Sequence, residues 1–69
     1  MKIVVNGDTV EVTAGLSVSE LLKVRQVKLP DMVSVELNDN ILERPEFETT
    51  KLTEGDRVEL LYFMGGGAL

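Results

Sequence analysis

Sixty-nine residues make one small domain, because a chain of this length builds a single core and buries roughly 60% of the surface its unfolded form exposes. Hydrophobic residues are 43% of the chain and twelve acids face seven bases, a net charge of −5; this describes a folded globule without the basic footprint that nucleic-acid binding relies on. No cysteine is present, which excludes disulfides and thiolate metal sites, and a core of this size is expected to supply only about 3–5 kcal/mol. The acidity itself serves solubility or steers the protein toward a basic partner.

The chain opens on Met1-Lys2-Ile3-Val4-Val5-Asn6, strand-like sequence without an apolar segment long enough for a signal peptide or a membrane span. The expectation is a cytoplasmic protein with no membrane partner. Met1, Ile3 and Val5 alternate with other residues, Asn6-Gly7 follows, and Val10 and Val12 alternate with Thr9, Glu11 and Thr13. Asn-Gly favours a type I′ turn because both positions tolerate positive φ, so residues 1–13 form a hairpin. That turn pairs Val5 with Asp8, Ile3 with Val10 and Met1 with Val12, placing the apolar side chains on one face.

Ser17-Val18-Ser19-Glu20 fits a capping box, with Leu16 and Leu21 at the staple positions around it. Val18, Leu21, Leu22 and Arg25 recur at helical spacing, so one helix starts here and lays Val18, Leu21 and Leu22 on the sheet; Pro30 marks its latest end. Val33, Val35 and Leu37 alternate as a third strand, and Asn38-Asp39-Asn40 turns the chain into a short strand around Ile41-Leu42. Residues 43–52 read as irregular, since Pro45 opposes a central strand, with Phe47 and Leu52 anchoring the segment to the core. Glu54-Gly55-Asp56 is a further turn, and Arg57 to Tyr62 forms the last strand with Val58, Leu60 and Tyr62 on one face.

The order β-β-α-β-β-β predicts an α+β architecture, a mixed sheet of about five strands covered on one face by one helix. It resembles the β-grasp, or ubiquitin-like, fold. That resemblance implies that the first and last strands lie side by side and parallel at the sheet centre. Residues 1–63 form the domain on this reading, and residues 64–69 form a flexible tail.

With no histidine or cysteine in the chain, Ser-His-Asp, Cys-His and histidine-metal arrangements are impossible from this chain alone. Glu43, Glu46 and Glu48 lie in a polar segment and Glu54 and Asp56 flank a turn glycine, settings that mark solvated surface rather than a general acid or base. No catalytic residue and no metal ligand is therefore expected. Gly65-Gly66-Gly67 is the feature that folding does not explain, because three glycines disfavour ordered structure and bury no side chain. A frayed terminus is one reading. A tail without Cβ atoms that threads a narrow channel in a partner is the other.

Asn6-Gly7, Leu21-Leu22, Val35-Glu36-Leu37-Asn38, Glu43-Arg44, Leu52, Glu54-Gly55-Asp56-Arg57-Val58-Glu59 and Phe63-Met64-Gly65-Gly66-Gly67 together resemble the thiamin-biosynthesis sulfur carrier family, ThiS. The resemblance implies a terminal diglycine whose carboxylate is adenylated by a ThiF-like enzyme and converted to a thiocarboxylate, from which sulfur passes to a ThiG-like thiazole synthase. ATP is then used by the activating partner, and the carrier binds no cofactor. Carried onto this chain, Gly67 is the adenylation and thiocarboxylate site, with Gly66 and Gly65 as tail residues. Ala68-Leu69 departs from the pattern; it is either a segment that a processing peptidase removes before activation or a remnant of cloning. Related carriers for cysteine, homocysteine or molybdopterin synthesis, a ubiquitin-like modifier joined through Gly67 to lysines, and a pure interaction module stay open beside this reading.

Leu61 and Phe63 point opposite to Val58, Leu60 and Tyr62, and with the first and last strands as neighbours Val4 joins them on the face away from the helix. Beside a reactive tail that face, with Met64, is expected to dock the partner enzymes; scattered surface hydrophobes, or cover from residues 43–52, are the alternatives.

Overall fold

In the computed structural model, which describes residues 1–27 and 32–62, strands β1 (Lys2–Val5) and β2 (Asp8–Glu11) are joined by Asn6 and Gly7. Both turn residues have positive φ, 49° and 88°, the combination that matches the twist of a two-residue hairpin. Ile3 pairs with Val10 and Val5 with Asp8. The Met1 and Val12 main chains exchange bonds of 2.7 and 2.8 Å, so the predicted register holds throughout.

Helix α1 (Val18–Val24) begins at the predicted capping box: the Ser17 Oγ accepts from the Glu20 N–H and the Glu20 carboxylate accepts from the Ser17 N–H. The other early donors of the helix are met by the following segment. The Val18 N–H bonds the Thr50 carbonyl at 3.1 Å and the Ser19 N–H bonds the Phe47 carbonyl at 2.8 Å, which satisfies main-chain groups that a helix start leaves unpaired. Residues 43–52, expected to be irregular, thus hold a 3-10 turn at Arg44–Glu46 with Pro45 inside it, and a bridge between Ser17 and Lys51. Phe47 and Leu52 are buried as anchors. The segment packs on the helix N-terminus.

The helix stops well before Pro30, which lies outside the described residues. Gln26 takes a left-handed φ of 57°, its N–H bonds the Lys23 carbonyl, and the Val27 N–H bonds the Leu22 carbonyl, both at 3.0 Å. This is a Schellman closure, in which the 5→2 and 6→1 bonds satisfy the last free carbonyls. No glycine marks it, so the sequence pattern alone did not place the end.

Strands β3 (Val33–Leu37) and β4 (Asn40–Leu42) form a second hairpin through Asn38 and Asp39, φ 50° and 72°. Strand β5 (Arg57–Tyr62) completes a five-stranded sheet in the order β2-β1-β5-β3-β4, parallel to β1 and antiparallel to β3. Val18, Leu21 and Leu22 of the helix pack with Ile3, Val5, Val33, Val35, Val58 and Leu60 on one face. This is the β-grasp arrangement that the element order predicts. The expected boundary at residue 63 and the tail 64–69 lie outside the described residues.

A residue with a Cβ at the left-handed position of a Schellman closure is strained relative to glycine. Gln26→Gly is expected to stabilise the fold by about 0.5–1 kcal/mol, read as a raised urea midpoint with an unchanged slope.

Candidate functional site

Strand β5 leads to the glycine tail, so the site is built from what holds that strand. Two side-chain amides extend the hydrogen-bond ladders on its two sides. On the β1 side, the Val4 N–H bonds the Asp56 carbonyl and the Asn6 N–H bonds the Val58 carbonyl, each at 2.9 Å. The parallel pattern next calls for an acceptor opposite the Leu60 N–H, but the chain is already turning away into Gly7. The Asn6 Oδ1 fills that place at 2.7 Å, and the Asn6 Nδ2 lies 3.5 Å from the Leu60 carbonyl.

On the β3 side, Asn38 acts at the other end of β5. Its N–H bonds the Arg57 carbonyl at 2.8 Å and its Oδ1 accepts from the Arg57 N–H at 2.9 Å. The side-chain oxygen again stands in for a main-chain carbonyl, since the Asn38 carbonyl turns outward and accepts from the Asn40 side chain at 3.3 Å. The Asn38 Nδ2 donates to Asp56 at 3.1 Å. Asp56 also accepts from the Thr53 N–H and hydroxyl at 2.8 and 3.1 Å, closing the turn whose Gly55 has φ 85°. Glu54 accepts from the Lys2 N–H at 2.9 Å and the Gly55 N–H bonds the Lys2 carbonyl at 2.8 Å. The acids of this turn, expected to be solvated, therefore fasten the start of β5 to β1. Burial works to raise the Asp56 pKa, but the bonds from Thr53 and Asn38 outweigh it and hold the carboxyl below its usual range.

The face of the sheet away from the helix carries Leu61, 42% exposed, as expected. Val4 is on the same face and half-buried, but the register parts the two. Val4 lies beside Arg57, whereas Leu61 lies beside Ser34 of β3; four residues of β5 separate them, about 13 Å along the strand. The expected cluster of Val4 with Leu61 is thus not contiguous, and Phe63 and Met64 lie outside the described residues, as do Gly65, Gly66, Gly67, Ala68 and Leu69. Ile41, which the sequence reading assigned only to a strand, is 72% exposed. It pairs with Glu36, which in turn faces Glu59, so Ile41 and Leu61 frame two opposed carboxylates. Two like charges across a ladder disfavour the isolated sheet.

Among the described residues no group of three acids, histidines or cysteines could hold a metal ion, and no helix is long and apolar enough to cross a membrane. The model of the ThiS family matches residues 3–67. The chain belongs to the ThiS family.

Solved structures agree with the ThiS assignment. The crystal structure of the thiamine biosynthesis protein ThiS from Geobacter metallireducens is 46% identical, with a TM-score of 0.87 over 97% of this chain and 100% of that one. A solution NMR structure of a thiamine biosynthesis protein from the same organism is 48% identical, with a TM-score of 0.80 over 100% of this chain and 91% of that one. No curated protein sequence matches the chain. The ThiS family match ends at Gly67 and leaves out Ala68 and Leu69.

Among the described residues two carboxyls have lowered pKa values: Glu20, chiefly through the Ser17 N–H and hydroxyl, and Asp56. A carboxyl whose pKa is lower in the folded than in the unfolded state stabilises the fold above its unfolded pKa and loses that contribution as pH falls through the folded value. Stability is therefore expected to hold near neutrality and to decline below about pH 5. Urea midpoints measured from pH 7 to pH 3 check this, and Asp56→Asn should give a lower midpoint at pH 7 with a shallower acid decline.

Proposed function

We propose that this chain is a sulfur carrier of thiamin biosynthesis, a protein co-substrate rather than an enzyme. The supporting observation is the position of β5: the central strand of a ThiS-family β-grasp sheet runs to Tyr62, and Phe63-Met64 alone separate it from Gly65-Gly66-Gly67. The folded domain offers recognition, and the main-chain carboxyl of Gly67 offers the chemistry. A carboxylate oxygen of Gly67 attacks the α-phosphorus of ATP in the active site of a ThiF-like enzyme, pyrophosphate leaves, and the carboxyl is held as an acyl adenylate. A sulfur donor then displaces AMP, leaving a thiocarboxylate from which a ThiG-like thiazole synthase takes sulfur. The absence of cysteine means that no thiol of the chain itself can capture the activated acyl group.

Ala68-Leu69 must be absent for Gly67 to present a carboxylate, so a C-terminal processing peptidase acts first. Docking uses the outward face around Leu61, extended by Ile41 and by the Glu36 and Glu59 carboxylates. Opposed acids between two exposed apolar groups suit a partner surface that combines apolar contact with basic side chains. Val4, beside Arg57, lies at the far margin of that face.

Intact mass after incubation with ATP and an extract of the native host tests the chemistry. The expected product ends at Gly67 and carries one oxygen replaced by sulfur. A thiocarboxylated pool that retains Ala68-Leu69 excludes processing, and a ladder of isopeptide adducts without thiocarboxylate replaces the carrier with a modifier. Leu61→Glu is expected to weaken binding to the adenylating enzyme about tenfold while the far-ultraviolet circular dichroism stays native. Unchanged affinity in the folded variant removes Leu61 from the docking face.

A further inference from the structure

The carboxyl end of β5 is held unequally on its two sides. Toward β3 the pairing continues to Val33 opposite Tyr62. Toward β1 the main chain supplies its last bond at Asn6, to the Val58 carbonyl. Among the described residues the Asn6 carboxamide is what meets β5 beyond that point, with Oδ1 2.7 Å from the Leu60 nitrogen. Without it, residues 60–62 would be hydrogen-bonded along the β3 edge alone, with burial of the Leu60 side chain as the remaining restraint toward β1. Turn formation does not require this carboxamide: at φ 49° glycine serves a type I′ turn as well as asparagine does.

We infer that Asn6 is a positioning residue for activation of the carrier, setting through Leu60 the direction in which the chain leaves the sheet toward Gly67. The inference rests on the sulfur-carrier reading. A carboxyl presented from a fixed strand end reaches a partner's reaction centre with less conformational freedom to lose than one presented from a swinging end. Asn6 itself sits in the β1–β2 turn, and the docking residues Leu61 and Glu59 stay paired with Ser34 and Glu36 of β3 when its bond is lost, so Asn6 acts on turnover more than on affinity.

The full chain and its Asn6→Gly and Asn6→Asp variants, each matured in an extract of the native host, are compared in ATP–pyrophosphate exchange catalysed by the ThiF-like enzyme. Exchange of the Leu60 amide hydrogen is followed by NMR in the same proteins. Asn6→Gly keeps the turn and removes the acceptor; Asn6→Asp keeps both. The expected result for Asn6→Gly is a Leu60 amide that exchanges at least about tenfold faster and a kcat about five- to tenfold lower, with KM for the carrier within about twofold of the parent. Asn6→Asp should restore kcat to within about twofold of the parent. Phe47→Leu, at a residue whose main chain bonds Ser19 and Arg44 and takes no part in the β5 ladders, serves as a destabilised control with parental kcat.

Parental kcat in Asn6→Gly overturns the inference, as does an equal loss of kcat in Phe47→Leu or a folded Asn6→Asp that rescues nothing. Should Asn6→Gly unfold, Asn6→Ser takes its place with the same expectations, since its shorter side chain stops short of the Leu60 amide. Failure of the parent chain itself to support exchange counts against the sulfur-carrier reading and is distinguishable from all of these.

Discussion

The parallel contact between β1 and β5 is the constraint from which the other features follow. Two antiparallel neighbours can be joined by a tight turn, but a parallel pair needs a connection long enough to return the chain to the same end. Here that connection includes α1 and the β3–β4 hairpin, which cover one face and extend one side of the sheet. The contact is short, with two residue pairs, Val4 with Arg57 and Val5 with Val58. Further bonds lengthen it at both ends: the Glu54 side chain and the Gly55 main chain bind Lys2, and the Asn6 side chain binds Leu60.

The same economy explains part of the acidic composition. Glu20, Glu46, Glu54 and Asp56 each accept a main-chain N–H, from Ser17, Glu43, Lys2 and Thr53. Glu20, Glu46 and Asp56 close a turn or a helix start, and Glu54 ties the start of β1 to the turn before β5; each meets a donor that would otherwise depend on solvent. The Arg57–Asp39 ion pair at 3.0 Å is exposed on both sides, and contributes little by comparison. Glu36 and Glu59 are different, because neither caps a main-chain group in the described structure and they face each other across β3 and β5. Their cost to the isolated sheet is small.

The division of labour in the molecule is therefore spatial. The helix-side face holds Ile3, Leu21, Leu52, Val58 and the other core residues, while the opposite face carries Leu61 and Glu59 outward. The central strand links them, since Val58 and Leu60 point into the core and Glu59 and Leu61 point out. A change in how β5 is held would be felt on both faces and at the exit toward the glycines.

The hairpin register, the capping box, the helix face and the alternation of β3 and β5 were legible in the sequence because they depend on neighbours within a few positions. Asn6-Gly7 dictates its turn through backbone sterics, and Ser17 and Glu20 meet through one helical turn. Gly65-Gly66-Gly67 stood out for the opposite reason, as three glycines that bury no side chain. The helix end at Gln26 was not legible, because a side chain in a left-handed conformation is tolerated there through bonds to Lys23 and Leu22 rather than announced by glycine. Nor was the parting of Val4 from Leu61, or the partnering of Glu36 with Glu59. Alternation assigns a side chain to a face, but the offset between strands distant in sequence assigns its neighbours, and that offset is set by long-range packing. The sequence by itself thus determined the local elements; only the tertiary structure decided that Asn6, a turn residue by its own chemistry, completes the central strand at Leu60, because the two lie 54 positions apart.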